Sequence, residues 1–156
     1  LHINYNAFCH KYKVIQLTPF LLGVAIGLVG NSRPASGAEH HLAHYWEMDA
    51  IAHNRSHALH GNAVGVGAVI ISSIYEIMAD KCPKEIVLPD PNHIKNLLDR
   101  AGSCTNPKDL GISRELFRRS IIHAREIRPR YTILQLAYKM DMLDKIADAL
   151  VEKFYM

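Results

Sequence analysis

The sequence predicts an all-α protein, a multi-helix bundle of six to eight helices, and three observations carry that expectation. Apolar residues recur at three- and four-residue spacing along 114–127 and again along 141–154. The most apolar stretch, 62–80, is longer than an ordinary strand. Glycine, proline and capping residues fall between these stretches, where chain breaks are needed. At 156 residues the chain is one domain by length, with no internal repeat and no low-complexity tract.

Taken in order, residues 1–16 show no clear period. After Pro19 the apolar segment 20–29 reads as a buried helix, broken by Gly30-Asn31-Ser32-Arg33-Pro34. Ser36-Gly37-Ala38-Glu39 has the S-x-x-E spacing of a capping box, which starts a helix at Gly37 that runs to about Ala52. Residues 53–60 are a polar connector. Residues 62–80 are rich in β-branched side chains that would suit a strand, but their length and the polar close at Tyr75-Glu76 favour a buried helix. Gly61, Gly65 and Gly67 allow close backbone packing at its start. They do not form a dinucleotide loop, because the G-x-G-x-x-G spacing is missing and no strand leads in. Pro83 and Pro89-Asp90-Pro91 mark a long loop, and a short helix over 92–101 ends at Gly102. Ser113 caps a helix over 114–127 with Phe117, Ile121, Ala124 and Ile127 on its apolar side; Pro129 follows it. The last helix, 141–154, places Leu143, Ile146, Ala147, Leu150 and Phe154 together.

Composition removes several function classes. Hydrophobic residues make up 49% and charged residues 21%, ordinary for a folded soluble protein, and the net charge is only +3. Residues 113–130 hold six Arg against two Glu, but no aromatic platform is interleaved. Their Arg residues read as the solvated side of a helix rather than a nucleic-acid face. Cys9, Cys82 and Cys104 are odd in number and lack C-x-x-C spacing, which argues against a disulfide scaffold and a cysteine zinc site. No charged residue falls between Val14 and Ser32, long enough to span a bilayer, yet Gln16, Thr18, Pro19, Gly23, Gly27 and Asn31 dilute the run. The expectation is a buried helix and no membrane partner.

Histidine is the outlier. His40, His41, His44, His53, His57 and His60 fall within 21 residues. His40 and His44, one helical turn apart, could reach one metal, and His60 enters the next buried helix. Neutral imidazole suits zinc, nickel or iron(II), and spacing alone does not choose. A zinc-protease pattern would need Glu at position 41, where His stands, so peptide hydrolysis is disfavoured. His41 points away from His40 and reads as a supporting or surface residue; His53 and His57 read as surface residues, Trp46 and Tyr45 as core. Nucleophilic catalysis finds no G-x-S-x-G elbow and no activated cysteine.

Three blocks carry a family resemblance: Arg33-Pro34-Ala35-Ser36-Gly37-Ala38-Glu39-His40-His41 with His44-Tyr45-Trp46-Glu47-Met48; Leu59-His60-Gly61 with Val64-Gly65-Val66-Gly67; and Leu110-Gly111-Ile112-Ser113-Arg114-Glu115-Leu116-Phe117 with Arg130-Tyr131-Thr132-Ile133-Leu134. Together they closely resemble the bacterial type of sn-glycerol-1-phosphate dehydrogenase, over residues 17–156 and in order. Residues 1–16 do not follow the pattern. The resemblance implies the C-terminal helical, metal-binding domain of the dehydroquinate synthase-like polyol dehydrogenases, without their nucleotide-binding domain. It implies that His40 and His60 bind a divalent metal, zinc or nickel, and that His44 lies against the substrate as a binding and catalytic residue. It further implies interconversion of dihydroxyacetone phosphate and sn-glycerol 1-phosphate with NAD(P)H, in a cytoplasmic homodimer. The family's third protein ligand, an aspartate, and its pyrophosphate loop belong to the nucleotide-binding half and match nothing here. The expectation is therefore half of a dehydrogenase, with a non-catalytic remnant as the alternative.

Overall fold

The computed structural model describes residues 23–30 and 36–156. The unmatched segment 1–16, Cys9, most of the uncharged run 14–32 and the block Arg33–Ala35 lie outside them. The chain divides into two compact units, 1–37 and 38–156. In the first, residues 23–29 form helix α1, where a helix is expected. Its Val24, Leu28 and Val29 are exposed, not buried as the apolar run suggests. Among the described residues no helix is long and apolar enough to cross a membrane.

The second unit is helical throughout its regular elements, confirming the all-α expectation. Helices α2 (Ala38–Ala52) and α3 (His60–Ile77) are followed by α4 (Pro91–Arg100), α5 (Arg114–His123), α6 (Ile133–Lys139) and α7 (Leu143–Tyr155). Short 3-10 turns at Ala79–Lys81, Pro107–Leu110 and Ala124–Glu126 join them. Among the described residues there is no strand.

Helix α3 is the centre. Val66, Ile70 and Ile74 are fully buried, and the helix touches α2, α4, α6 and α7. Its β-branched side chains are tolerated because burial on all sides outweighs a weak local preference for strand. The hydroxyls of Ser72 and Ser73, also buried, donate to the carbonyls of Ala68 and Val69 one turn back, at 2.7 and 3.0 Å. That leaves no buried hydroxyl without a partner in this stretch. Helices α5 and α7 close the other side, with Phe117 against Phe154 at 5.8 Å between ring centroids. Of the predicted apolar stripes, Phe117, Ile121, Ala124, Ile146, Ala147 and Leu150 have no exposed surface.

Boundaries shift for identifiable reasons. Helix α4 begins at Pro91, which needs no amide partner in a first turn, and the Asp90 carboxylate accepts the Asn92 amide at 2.9 Å. It ends where predicted: Ala101 is followed by Gly102 with φ of +70°, a conformation that favours glycine. Helix α5 is capped by the Ser113 hydroxyl, which accepts the Leu116 amide at 3.2 Å. It stops at His123 rather than Ile127, tightening into the 3-10 turn. Helix α6 is not foreseen by the sequence reading, since seven residues are too few to display a helical period.

Candidate metal centre

Two helices build the site. Helix α2 carries His40 in its first turn and His44 in the next, on one face, as the spacing predicts. Helix α3 opens with His60. A Cβ on Gly67 of α3 would lie 2.7 Å from the Glu39 carbonyl oxygen of α2, while Glu47 of α2 meets His60. These two meetings show that the helices run antiparallel and close together. The three imidazoles converge, with ring centroids 6.4 Å apart for His40–His44, 5.6 Å for His40–His60 and 5.1 Å for His44–His60.

Each ring has its Nδ1 on a carboxylate. His60 Nδ1 lies 2.6 Å from Glu47 Oε1, and His44 Nδ1 lies 3.1 Å from Glu47 Oε2. His40 Nδ1 lies 2.8 Å from Glu39 Oε1. Burial pushes the Glu47 carboxyl up, but hydrogen bonds from His60 and His44 outweigh it and hold the group below the usual carboxylate value. On its other side His44 presents Nε2 to the Arg128 guanidinium at 3.4 Å. His40 and His44 are part-buried and the His60 side chain is 46% exposed, so the cluster opens outward.

The structure therefore brings together all three histidines singled out from the sequence. It also adds two residues that sequence reasoning missed. Glu47 stands three positions after His44, a spacing that places both on one helix face and could have flagged it. Arg128 lies 84 positions from His44 and left no such signal. Among the described residues, His44, Glu47 and His60 are the one set of three that places a donor atom each within 4.8 Å of one another, a set that includes Glu47 and leaves out His40. Imidazole and carboxylate donors suit zinc or nickel.

His41 requires a correction. It is not on the surface: it is fully buried, with neither ring nitrogen hydrogen-bonded among the described residues. Burial, then the nearby Arg130 and Arg128 cations, pull its pKa below the ordinary 6.5. A depressed imidazole pKa means that the unfolded chain takes up the proton first as pH falls. The His41 contribution to stability is thus complete above pH 6.5 and is lost as pH falls below it toward the folded-state value. Urea titrations should show stability falling on acidification through this window, and less steeply in His41→Leu. His53 and His57 are exposed, and Trp46 is core, as expected. Cys82 and Cys104 are free thiols.

The Arg-rich segment splits in two. Arg118 pairs with Asp144 and Asp148 at 2.8 and 2.7 Å, and Arg119 with Asp49 at 3.2 Å, so these are surface ion pairs on the polar side of α5. Beyond α5, Arg125, Arg128, Arg130 and Lys139 instead line a recess of about 300 Å³ with Tyr131 and Gln135. Among the described residues its lining holds no carboxylate, although Arg125 also pairs with Glu126 at 2.9 Å, and Arg128 connects it to His44.

No family model matches the chain. It is similar to curated proteins named as NAD(P)+ glycerol-1-phosphate dehydrogenases. The Bacillus licheniformis protein is 33% identical over 134 residues, covering 79% of this chain and 33% of the relative. That of Metallosphaera sedula is 41% identical over 127 residues, 80% of this chain and 32% of the relative. That of Methanocorpusculum labreanum is 39% identical over 137 residues, 87% of this chain and 32% of the relative.

Proposed function

The chain belongs to the glycerol-1-phosphate dehydrogenase family and spans about one third of the length of the curated relatives it matches, and from that premise we propose that it supplies the helical, metal- and substrate-facing part of an NAD(P)-linked dehydrogenase. The reaction is the interconversion of dihydroxyacetone phosphate and sn-glycerol 1-phosphate. The observation that carries this reading is the convergence of His40, His44 and His60 from α2 and α3 within 5.1–6.4 Å.

His40 and His60 would hold the metal, each with Nδ1 engaged by a carboxylate and Nε2 left as the donor. Stable sites have three or four protein ligands, so a further ligand comes from outside this pair. When bound, zinc or nickel supplies Lewis-acid polarisation of the substrate carbonyl. His44 binds substrate through Nε2 and is placed to give or take a proton there, its Nδ1–H steadied by Glu47. The cationic recess suits the substrate phosphate, with Arg128 between the recess and His44. The NAD(P)H contacts belong to residues outside these helices.

The test is oxidation of NADH or NADPH by dihydroxyacetone phosphate with zinc or nickel, by this chain alone and with the nucleotide-binding part of the Bacillus licheniformis relative. Turnover in either mixture supports the reading. No turnover, together with no metal retained, overturns it in favour of a non-catalytic remnant. In the active mixture Arg128→Gln is expected to raise KM for dihydroxyacetone phosphate by about 10- to 100-fold, the worth of a hydrogen bond to a charged group. Turnover of unphosphorylated dihydroxyacetone should change little. An equal loss on both substrates would remove Arg128 from phosphate recognition.

A further inference from the structure

Glu47 is the one carboxylate among the described residues that contacts two members of the histidine cluster, and it does so across two helices. Its Oε2 faces His44 Nδ1 of its own helix, and its Oε1 faces His60 Nδ1 of α3. An ionised carboxylate only accepts hydrogen bonds, so each of these contacts requires a proton on Nδ1. With Nδ1 protonated, a neutral imidazole carries its lone pair on Nε2. The Arg128 contact agrees independently: a guanidinium only donates, so His44 Nε2, 3.4 Å away, must be the acceptor.

We propose that Glu47 is a positioning residue that fixes His44 and His60 in the same tautomer, Nδ1–H, and so leaves the lone pair of each ring on Nε2. This rests on the reading that His60 ligates and His44 meets substrate. One carboxylate thereby prepares two different tasks, a metal lone pair on His60 and a substrate-facing acceptor on His44. Backing of a ligating imidazole by a carboxylate is a recognised way to orient the ring and raise its basicity, and its loss costs about 10- to 100-fold in metal affinity. The shared oxygen pair adds coupling: the Glu47 side chain cannot leave one ring without loosening the other.

The geometry also shows why glutamine cannot substitute. Because the two oxygens of Glu47 face different rings, a glutamine there turns its oxygen to one ring and its donating amide to the other, so only one Nδ1–H keeps its bond in this geometry. The other ring is free to take the Nε2–H form, which imidazole side chains favour in water.

The test reads the tautomers directly from imidazole ¹⁵N shifts of the metal-free chain at pH 8.5. His44 and His60 are expected to show Nδ1–H in the wild type. In Glu47→Gln at least one should change to Nε2–H, with His53 and His57 unchanged as internal controls. Glu47→Asp, which keeps the charge but shortens the reach, should retain Nδ1–H on one ring. Zinc titration into Glu47→Gln is expected to show about 10- to 100-fold weaker binding. Identical tautomers in wild type and Glu47→Gln would overturn the proposal. So would zinc binding abolished outright in both Glu47→Gln and Glu47→Asp with folding intact, because that marks Glu47 as a ligand itself. The tautomer measurement needs no metal, so it stands or fails apart from the enzymatic reading.

Discussion

Replacing His60 by alanine is expected to lower the affinity of the protein for zinc or nickel by at least about 100-fold, and His40→Ala to do the same, whereas His44→Ala should leave it within a few-fold. Loss of a supporting partner alone costs about 10- to 100-fold, so loss of a ligand must cost at least that. The contrast between His40 and His44 is the informative part. The two rings sit 5.6 and 5.1 Å from His60, so proximity does not separate them. Their partners do. His40 is held by Glu39, a neighbour on its own helix. His44 has its Nε2 against the Arg128 cation, which repels a second positive charge at that atom and suits an anionic substrate. His44→Ala should therefore appear in turnover, about 100- to 10,000-fold for a general acid–base group. Isothermal titration with the three variants decides the assignment. If His44→Ala loses metal and His40→Ala does not, the ligands are His44, Glu47 and His60, the set whose donor atoms lie within 4.8 Å.

The three histidines were legible because each carries a local signal. His40 and His44 share a face through i, i+4 spacing, and His60 precedes a glycine at the entry to a long apolar run. The helices themselves were legible where they are long and one-sided, as in α5 and α7. What the sequence hides is set by the third dimension. Glu47 could have been noticed by spacing to His44, but its second partner, 13 residues on, exists only because α3 folds back antiparallel to α2. Arg128 reads as one more cation in a basic segment until the turn after α5 places it against a histidine from α2. The same turn separates Arg118 and Arg119, in surface pairs, from Arg125, Arg128 and Arg130, in the recess, a distinction periodicity misses because the helix ends at His123. The choice left open for His41, supporting or surface, is settled against the surface for a related reason. Helical geometry turns it away from His40, but only the packed bundle shows that this side faces inward, near Arg128 and Arg130.

Gly67→Ala is expected to destabilise the protein by about 1–3 kcal/mol, the usual cost of forcing an extra methyl into a filled contact. By helix propensity alone the change should stabilise by about 1 kcal/mol, because Gly67 is in the interior of α3. The contact decides the sign. A Cβ at this position would meet the Glu39 carbonyl oxygen at 2.7 Å, the Glu39 Cα at 3.2 Å and its carbonyl carbon at 3.3 Å. All three are backbone atoms in the first turn of α2, so no flexible side chain can move aside and the helices must separate. Gly61 is the matched control: it lies in the same helix, with nothing within 4 Å of its Cβ position. Gly61→Ala should therefore be neutral or stabilising by up to about 1 kcal/mol. Urea denaturation of the two variants measures the difference, and equal stabilities would show that the helix contact is looser than described. The consequence reaches the site, because Glu39 both takes the clash and holds His40 Nδ1 at 2.8 Å. Displacing the start of α2 moves His40 away from His60, so Gly67→Ala should weaken metal binding while Gly61→Ala leaves it unchanged. A glycine seven residues after His60, in a stretch the sequence marks only as close packing, thus sets the spacing on which the histidine pair depends.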